Sequence, residues 1–449
     1  MEESNVLKRS SLTLIIFAFT VVVLQILDLS AGATWARNWQ DPSVLPRTLL
    51  YFTIVTASIF LQLYFLVITL RVSLKSKKRV SRLALTISYT YMAIQLAVII
   101  LLIYLLAEQI LTYQYHIIIS DLILGLVLLT SVAILILLSY TCIKAYLTKK
   151  NIMTVVFGIA MIALSVQLIS AFFYIEGNLY IKPDIITTKR NPWISSVHTE
   201  FLSILFEIYN TAHLVSFIAV WVASVIFTKS LLQKIGKIKY WTIVTIPVIY
   251  FLLQYLPLLL NQVGLLTPLL MAKEPIFLYF YSFVINTINV GAGLLFGISF
   301  FILSMNLAHS HLRYYLIMCG AGIMVVFSSN ISTVLVMTMF PAWAVVSLSF
   351  VLPASFMILI GLDSSAFFIA GDFRVRELLH KSRKEFELFK ALGSSEFSSA
   401  IERKVRLIAN QIYDNPENEP LFVSRSESED ISQYVSEVMA EMKRSKSKK

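Results

Sequence analysis

The stretch that decides the fold class is Ile117–Ile143, IIISDLILGLVLLTSVAILILLSYTCI, in which Asp121 is the only charged residue. A helix of about 20 apolar residues crosses the hydrocarbon core of a bilayer. Similar runs recur along most of the chain, and 57% of its 449 residues are hydrophobic while 14% are charged. Because soluble domains carry about 25% charged residues, the composition indicates an all-α, multi-pass membrane bundle and excludes a disordered or collagen-like chain.

Ten membrane spans are predicted from the apolar runs, followed by a small, helical, cytoplasmic tail over 363–449. The spans are 12–29, 48–70, 83–107, 117–143, 152–175, 201–228, 240–260, 276–304, 314–340 and 343–362. If the N-terminus lies inside, the inner loops hold 16 Lys and Arg and the outer loops six. Since Lys and Arg concentrate in cytoplasmic loops, both termini are predicted to be cytoplasmic.

The net charge of +11 follows from this loop pattern, because the tail contains 15 basic and 15 acidic residues. Membrane topology therefore explains the charge, and no nucleic-acid partner is predicted. Cys142 and Cys319 lie at or within predicted spans, so no disulfide-linked outer domain is expected. This pattern favours the plasma membrane of a prokaryote, with the lipid bilayer as the main partner.

Ionisable side chains inside spans are costly to bury and are the first candidates for function. The sixth span carries four polar residues within two helical turns: Glu207, Asn210, Thr211 and His213. Their spacing of three or four residues makes several of them helical neighbours. They could form a proton relay or bind a cation or ligand, or they could have the purely structural role of hydrogen-bonding neighbouring helices together.

A second group of residues is predicted near the outer membrane face: His116, Asp121, His198 and Glu200. If the helices converge there, these side chains would line an outward vestibule. No spacing typical of metal ligands links them, so a metal site is only weakly indicated. Other acidic residues, including Asp28, Glu108 and Glu176, fall at span ends, where they are expected to stay hydrated.

The connection between the fifth and sixth spans, 176–200, is the longest predicted outer loop, and it could cover a cavity or be a plain connector. Helix-breaking prolines are few, namely Pro247 and Pro257 in the seventh span and Pro353 in the tenth. Paired unwound helices, which are typical of secondary transporters, are therefore not evident.

The tail is predicted to contain amphipathic helices that could bind a cytoplasmic protein through 374–442. A helix from Arg374 is expected to stop at Gly393, and Phe397 begins an apolar stripe at helical spacing.

Five short segments around the last span and the tail resemble the end of an uncharacterised family of multi-pass membrane proteins from ammonia-oxidising archaea. These segments are Leu359–Ala366, Gly371-Asp372, Arg374–Ser382, Leu392–Phe397 and Ile401–Val405. The resemblance covers about 50 residues. It implies an archaeal cell membrane and carries no activity or site residue with it.

Two functions fit the sequence. The first is a non-enzymatic sensor or adaptor that signals to a cytoplasmic partner through its tail. The alternative is a secondary transporter or channel that uses the polar groups of the sixth span. No catalytic, nucleotide-binding or cofactor-binding motif is present, so no cofactor is predicted and an enzyme is disfavoured.

Overall fold

The structure is a computed structural model, and it describes only part of the chain. The described residues are 12–28, 44–75, 82–180, 185–187, 200–228, 236–253, 293–294, 297–302, 304, 310–329, 342–371 and 391–401. The chain divides into two compact units, Met1–Glu396 and Phe397–Lys449. Everything discussed below as a site lies in the first unit.

The described residues are almost entirely helical, as the apolar runs predict. The helices are α1 (Leu12–Asp28), α2 (Val44–Lys75), α3 (Arg82–Thr112), α4 (Ile117–Lys149), α5 (Ile152–Tyr180), α6 (Glu200–Thr228), α7 (Lys237–Leu252), α8 (Ser310–Ser328), α9 (Val345–Ser349), α10 (Val351–Gly371) and α11 (391–401). Residues 293–294, 297–302 and 304 are also helical. Two short strands are present, β1 (Gln114–His116) and β2 (Ile185–Thr187).

Six segments of the described chain are long and apolar enough to cross a membrane, and they confirm the prediction of a helical membrane protein. They are Leu49–Thr69, Thr86–Thr112, Ile117–Thr148, Ile152–Asn178, Glu200–Ile226 and Val345–Ala366. Two shorter apolar helices are Leu12–Asp28, which lies within the predicted first span, and Leu312–Ser328, which overlaps the predicted ninth span. Most of the predicted eighth span, 276–304, lies outside the described residues.

The segment that contains α9 and α10 occupies the centre of the packed helices. Every side chain from Ala342 to Leu359 is buried. The other five candidate spans bury only 39–56% of their most apolar window. Since α10 packs against α3, α4 and α8, it is shielded on several sides, whereas the outer helices keep apolar faces that suit lipid.

Close approach of α8 and α10 depends on small residues. A Cβ added to Gly322 would lie 2.6 Å from the carbonyl oxygen of Ala354, and one added to Gly361 would lie 2.7 Å from that of Tyr315. Real Cβ atoms do not come so close to a backbone oxygen. Glycine at both positions therefore permits the helix contact, as is common between membrane helices.

The predicted outer loop, 176–200, is joined to the connection between α3 and α4. Strand β2 of this loop pairs antiparallel with β1, with His116 opposite Ile185 and Gln114 opposite Thr187. We call the end of the bundle that carries this small sheet the sheet end. The pairing attaches residues 185–187 of the loop to the connection between α3 and α4. At these residues the loop is therefore more than a free connector.

The described part of the predicted tail consists of residues 363–371, which continue α10 to Gly371, and of α11. The predicted partner-binding segment 374–442 lies mostly outside the described residues. Gly393 lies inside α11, where the sequence suggested a helix stop. A Cβ at this position would collide with Ile369 of α10. The predicted helix stop at Gly393 is therefore wrong, and the close packing against Ile369 explains why a glycine stands within this helix.

Candidate functional site

The start of the central helical segment, at α9, is the most polar part of the described core. Ala344, which precedes α9, has a left-handed backbone with φ of 69°. The five-residue helix α9 ends at Ser349, and after Phe350, whose backbone is right-handed helical, α10 begins at Val351. Pro353 is the third residue of α10, and proline is tolerated in a first helical turn because its missing N–H would have no partner there.

The carboxylate of Asp28, the last residue of α1, contacts the start of α9. Its Oδ2 atom accepts hydrogen bonds from the Ser347 hydroxyl at 2.5 Å and from the Ala344 backbone N–H at 3.2 Å. Asp28 is only 1% exposed, and its Oδ1 atom has no hydrogen-bond partner among the described residues. The expectation that Asp28 stays hydrated at a span end is therefore wrong, because the segment before α9 folds over it.

Gln25 lies one turn before Asp28 and connects α1 to α8 and α9. Its Nε2 atom donates to the Ser329 hydroxyl at 2.5 Å and to the Ser347 carbonyl oxygen at 3.3 Å. Its Oε1 atom accepts from the Ser328 hydroxyl. All four side chains are almost completely buried, so one amide joins three separate elements inside the bundle.

A second chain of hydrogen bonds reaches α9 from the other side. Gln95 of α3 donates to Gln62 of α2 at 2.8 Å, and Gln62 donates to the Ser349 hydroxyl at 2.6 Å. Buried polar groups in a membrane protein must find partners within the protein. We call the eight residues of these two hydrogen-bond chains, which meet at α9, the polar seam: Gln25, Asp28, Gln62, Gln95, Ser328, Ser329, Ser347 and Ser349.

Towards the sheet end, Asp28 is close to further buried polar groups. The Tyr51 hydroxyl donates to the Ala342 carbonyl oxygen at 3.3 Å, and its ring packs edge-on against Trp343 at 5.0 Å. The Gln109 amide lies beside the Tyr51 hydroxyl. Gln109 is fully buried, and neither of its amide atoms has a hydrogen bond of normal geometry within the described chain.

The chemistry of the polar seam is limited to one carboxyl group, several amides and several hydroxyls. No group of three His, Cys, Asp or Glu able to hold a metal ion occurs among the described residues. Oxygen-rich sets of this kind suit a proton, a hard cation or a polar solute rather than a soft transition metal.

The four residues predicted in the sixth span do not face the same way. Glu207 and Thr211 lie on the exposed face of α6, and Asn210 is half-buried. His213 is 7% exposed and belongs to the opposite, buried face. A separation of six residues corresponds to about 600° of helical rotation, which separates Glu207 from His213. Their role as a functional site stays a prediction.

His213 is surrounded by aromatic rings. It stacks on Tyr209 with 6.0 Å between centroids and meets the edge of Phe251 at 5.4 Å. Phe251 in turn stacks on Phe217 at 3.7 Å. This arrangement joins α6 to α7 and resembles a packed core more than a ligand pocket.

The predicted vestibule residues have partners that the sequence did not suggest. His116 forms an ion pair with Glu108, which is only 8% exposed. Asp121 lies within hydrogen-bond reach of Glu176 on the neighbouring helix α5. Glu200 is exposed, and His198 lies outside the described residues. The structure therefore shows two pairs here, and whether they line a vestibule stays a prediction.

Sequence reasoning missed the polar seam, although one signal was available. Gln25, Gln62 and Gln95 each interrupt an apolar run with a single polar amide. Such isolated amides are often partners between membrane helices. Their partners could not be read from the sequence, because those of Gln25 and Gln62 on α8 and α9 are about 300 residues away in the chain.

No known protein family, curated protein or solved structure matches the chain. The fold and the polar seam are therefore the basis for assigning a function.

Proposed function

We propose that the protein is a non-enzymatic secondary transporter in which the polar seam lines the substrate path and Asp28 couples transport to a cation gradient. The observation that carries this proposal is the buried Asp28 carboxylate at the N-terminus of α9, whose Oδ1 atom has no hydrogen-bond partner among the described residues. An acidic residue buried among membrane helices is typical of ion and proton pathways.

The breadth of the polar seam supports this reading. It joins side chains of α1, α2, α3, α8 and α9. A purely structural role would need only as many polar groups as hold neighbouring helices together. Here side chains of α1 and α2 both bond to the five-residue helix α9. A shift of α9 would therefore alter both sets of hydrogen bonds at once.

The proposal includes ten spans, two cytoplasmic termini and a location in the cell membrane. The bias of basic residues towards the predicted inner loops supports the orientation. The resemblance of the last span and tail to archaeal membrane proteins supports the cell membrane as the location.

A sensor or adaptor is the alternative, and it rests on the amphipathic pattern of the tail between 374 and 442. Most of that segment lies outside the described residues. The polar seam is the stronger basis, so the transporter is preferred.

The test is to reconstitute the full chain in liposomes and to record currents on a solid-supported membrane. Amino acids, polyamines and sugars would be applied separately under an inward Na⁺ gradient and under an inward proton gradient. We expect at least one probe to give a current that falls at least tenfold in Asp28→Asn. The proposal fails if no probe drives a current through protein whose insertion has been verified by protease protection.

Glu207→Gln is the matched control because Glu207 is also an acidic residue on a membrane helix but lies on an exposed face. It should keep the current if the polar seam is the transport site. Loss of current in Glu207→Gln with retention in Asp28→Asn would instead favour the site predicted in the sixth span.

A further inference from the structure

We propose that Asp28 binds the proton that drives transport, and that it holds this proton while the start of α9 covers it. This proposal rests on the proposed function and deepens it by naming the coupling ion. Proton binding by Asp28 is a property of the folded chain, so it can be measured separately from transport.

The contacts of the Asp28 carboxyl group fit its protonated form. Its Oδ2 atom accepts two hydrogen bonds, from the Ser347 hydroxyl and from the Ala344 N–H, while Oδ1 has no partner among the described residues. A neutral carboxyl group has one oxygen that only accepts and one that carries the proton. A proton on Oδ1 therefore leaves both observed hydrogen bonds in place.

Charge compensation for Asp28 is missing within the described chain. Asp28 is 1% exposed, and the ion pair found among the described residues joins His116 of β1 to Glu108 of α3 instead. Asp121 of α4, another acid of this part of the bundle, lies beside Glu176 of α5. A buried carboxylate without a positive partner is strongly disfavoured, and such a group becomes neutral instead.

The groups next to Asp28 are neutral. The titratable one is Tyr51 of α2, and a phenol carries no charge at physiological pH. The end of α8 contributes the hydroxyls of Ser328 and Ser329, and α9 contains no titratable residue. These neighbours therefore favour a carboxyl group that is itself neutral.

A proton fits these contacts better than a metal cation does. Ser347 and Ala344 turn hydrogen atoms, rather than oxygen lone pairs, towards Oδ2. Among the described contacts, Oδ1 is therefore the carboxyl oxygen left for a ligand. Hard metal cations take about six oxygen ligands, whereas a proton needs one.

Infrared spectroscopy detects the proposed proton directly, because a protonated carboxyl group has its own C=O stretching band, which shifts in D₂O. The full-length protein would be reconstituted in liposomes and titrated with base from neutral pH. We expect the wild-type spectrum at neutral pH to contain a protonated-carboxyl band that is missing in Asp28→Asn. Glu200→Gln is the control, since Glu200 is an exposed acid at a helix start and should leave this band unchanged.

A second variant tests the same proton without removing the acid. Ser347→Ala deletes one donor to the carboxyl group, and hydrogen bonds to a charged acceptor are roughly twice as strong as neutral ones. The variant therefore loses more in the ionised form than in the protonated form. We expect its band to persist to a pH about one unit higher than in the wild type. Ser165→Ala, whose hydroxyl bonds within its own helix, should titrate like the wild type.

The proposal is overturned if the wild-type and Asp28→Asn spectra contain the same protonated-carboxyl bands. It is also overturned if Ser347→Ala and the wild type titrate at the same pH. A protonated Asp28 in a protein that gives no current would contradict the proposed function while leaving proton binding in place. Currents that a sodium gradient drives, with Asp28 ionised throughout, would contradict only this inference.

Discussion

The Ser347 hydroxyl donates a 2.5 Å hydrogen bond to the carboxylate of Asp28, although 319 positions separate the two residues in the chain. This bond fixes the end of α1 to the start of α9. Because Ser347 also accepts from Gln25 through its carbonyl oxygen, the same residue connects the acid to Gln25 and, through Gln25, to Ser328 and Ser329. The position of α9 therefore sets the hydrogen bonding of Asp28.

Replacing Ser347 by alanine should destabilise the bundle by about 1–3 kcal/mol, the cost of leaving a buried acceptor without its donor. In Asp28→Asn the same substitution should cost less, because residues in one hydrogen-bond network are not additive. Thermal unfolding of the two single variants and the double variant measures this coupling. Ser165→Ala is the control, since Ser165 is buried but bonds only within its own helix. Additive effects would mean that the contact does not couple the two residues.

Gly361→Ala should destabilise the protein by about 1–3 kcal/mol, as expected when an extra methyl group is forced into a packed contact. Its Cβ would lie 2.7 Å from the Tyr315 carbonyl oxygen and 2.8 Å from the Cys319 backbone nitrogen. Gly125→Ala provides the comparison, because its Cβ would meet only Phe172, at 3.8 Å. Chemical or thermal unfolding should find Gly125→Ala neutral or slightly stabilised. Equal effects at both positions would refute the close contact of α8 and α10.

Glu108→Gln should loosen the small sheet. The Glu108 carboxylate contacts the Nδ1 atom of the His116 ring and accepts a hydrogen bond from the His116 backbone N–H at 3.3 Å. His116 lies opposite Ile185 in the strand pair. Without the charge on residue 108, the hydrogen bond to His116 weakens, since bonds to charged groups are roughly twice as strong as neutral ones. Hydrogen exchange should then become faster in peptides that contain 114–116 and 185–187. Glu200→Gln, at an exposed position, should leave these peptides unchanged. Unaltered exchange in Glu108→Gln would show that strand pairing does not depend on this ion pair.

His213→Phe should preserve the fold, because phenylalanine can keep the ring contacts with Tyr209 and Phe251. His213→Ala should cost about 3–5 kcal/mol, similar to the loss of a buried aromatic ring. Thermal unfolding distinguishes the two variants. If His213→Phe folds normally yet loses transport, His213 has a chemical role and the site predicted in the sixth span regains support.

Glu207→Leu should stabilise the protein, since removing a charged group from an exposed position on a membrane helix avoids a cost of about 2–3 kcal/mol. Melting temperatures in detergent and in nanodiscs provide the measurement, and the gain should be larger in nanodiscs. A large loss of stability in both environments would show that Glu207 makes a contact important for folding.

The sequence predicts the positions of the helices well wherever a run of apolar residues decides the outcome. Spans predicted at 117–143, 152–175 and 201–228 correspond to α4, α5 and α6. Such runs form helices because the bilayer core offers the backbone no hydrogen-bonding partner outside the chain. The candidate site could not be placed in this way. Glu207 and His213 are only six residues apart in the chain, but one is exposed and the other buried, so they lie on different faces of α6.

What the sequence determined by itself is the membrane character of the chain and the location of most of its helices, because these depend on local hydrophobicity. Tertiary structure alone decided that Asp28 is buried, that Gln25 meets Ser328 and Ser329, and that Gln62 meets Ser349. These contacts depend on which helix faces pack together. Packing in turn depends on small residues such as Gly322 and Gly361, which lie against the backbone of residues distant in the chain. The sequence alone does not say which backbone each glycine will approach.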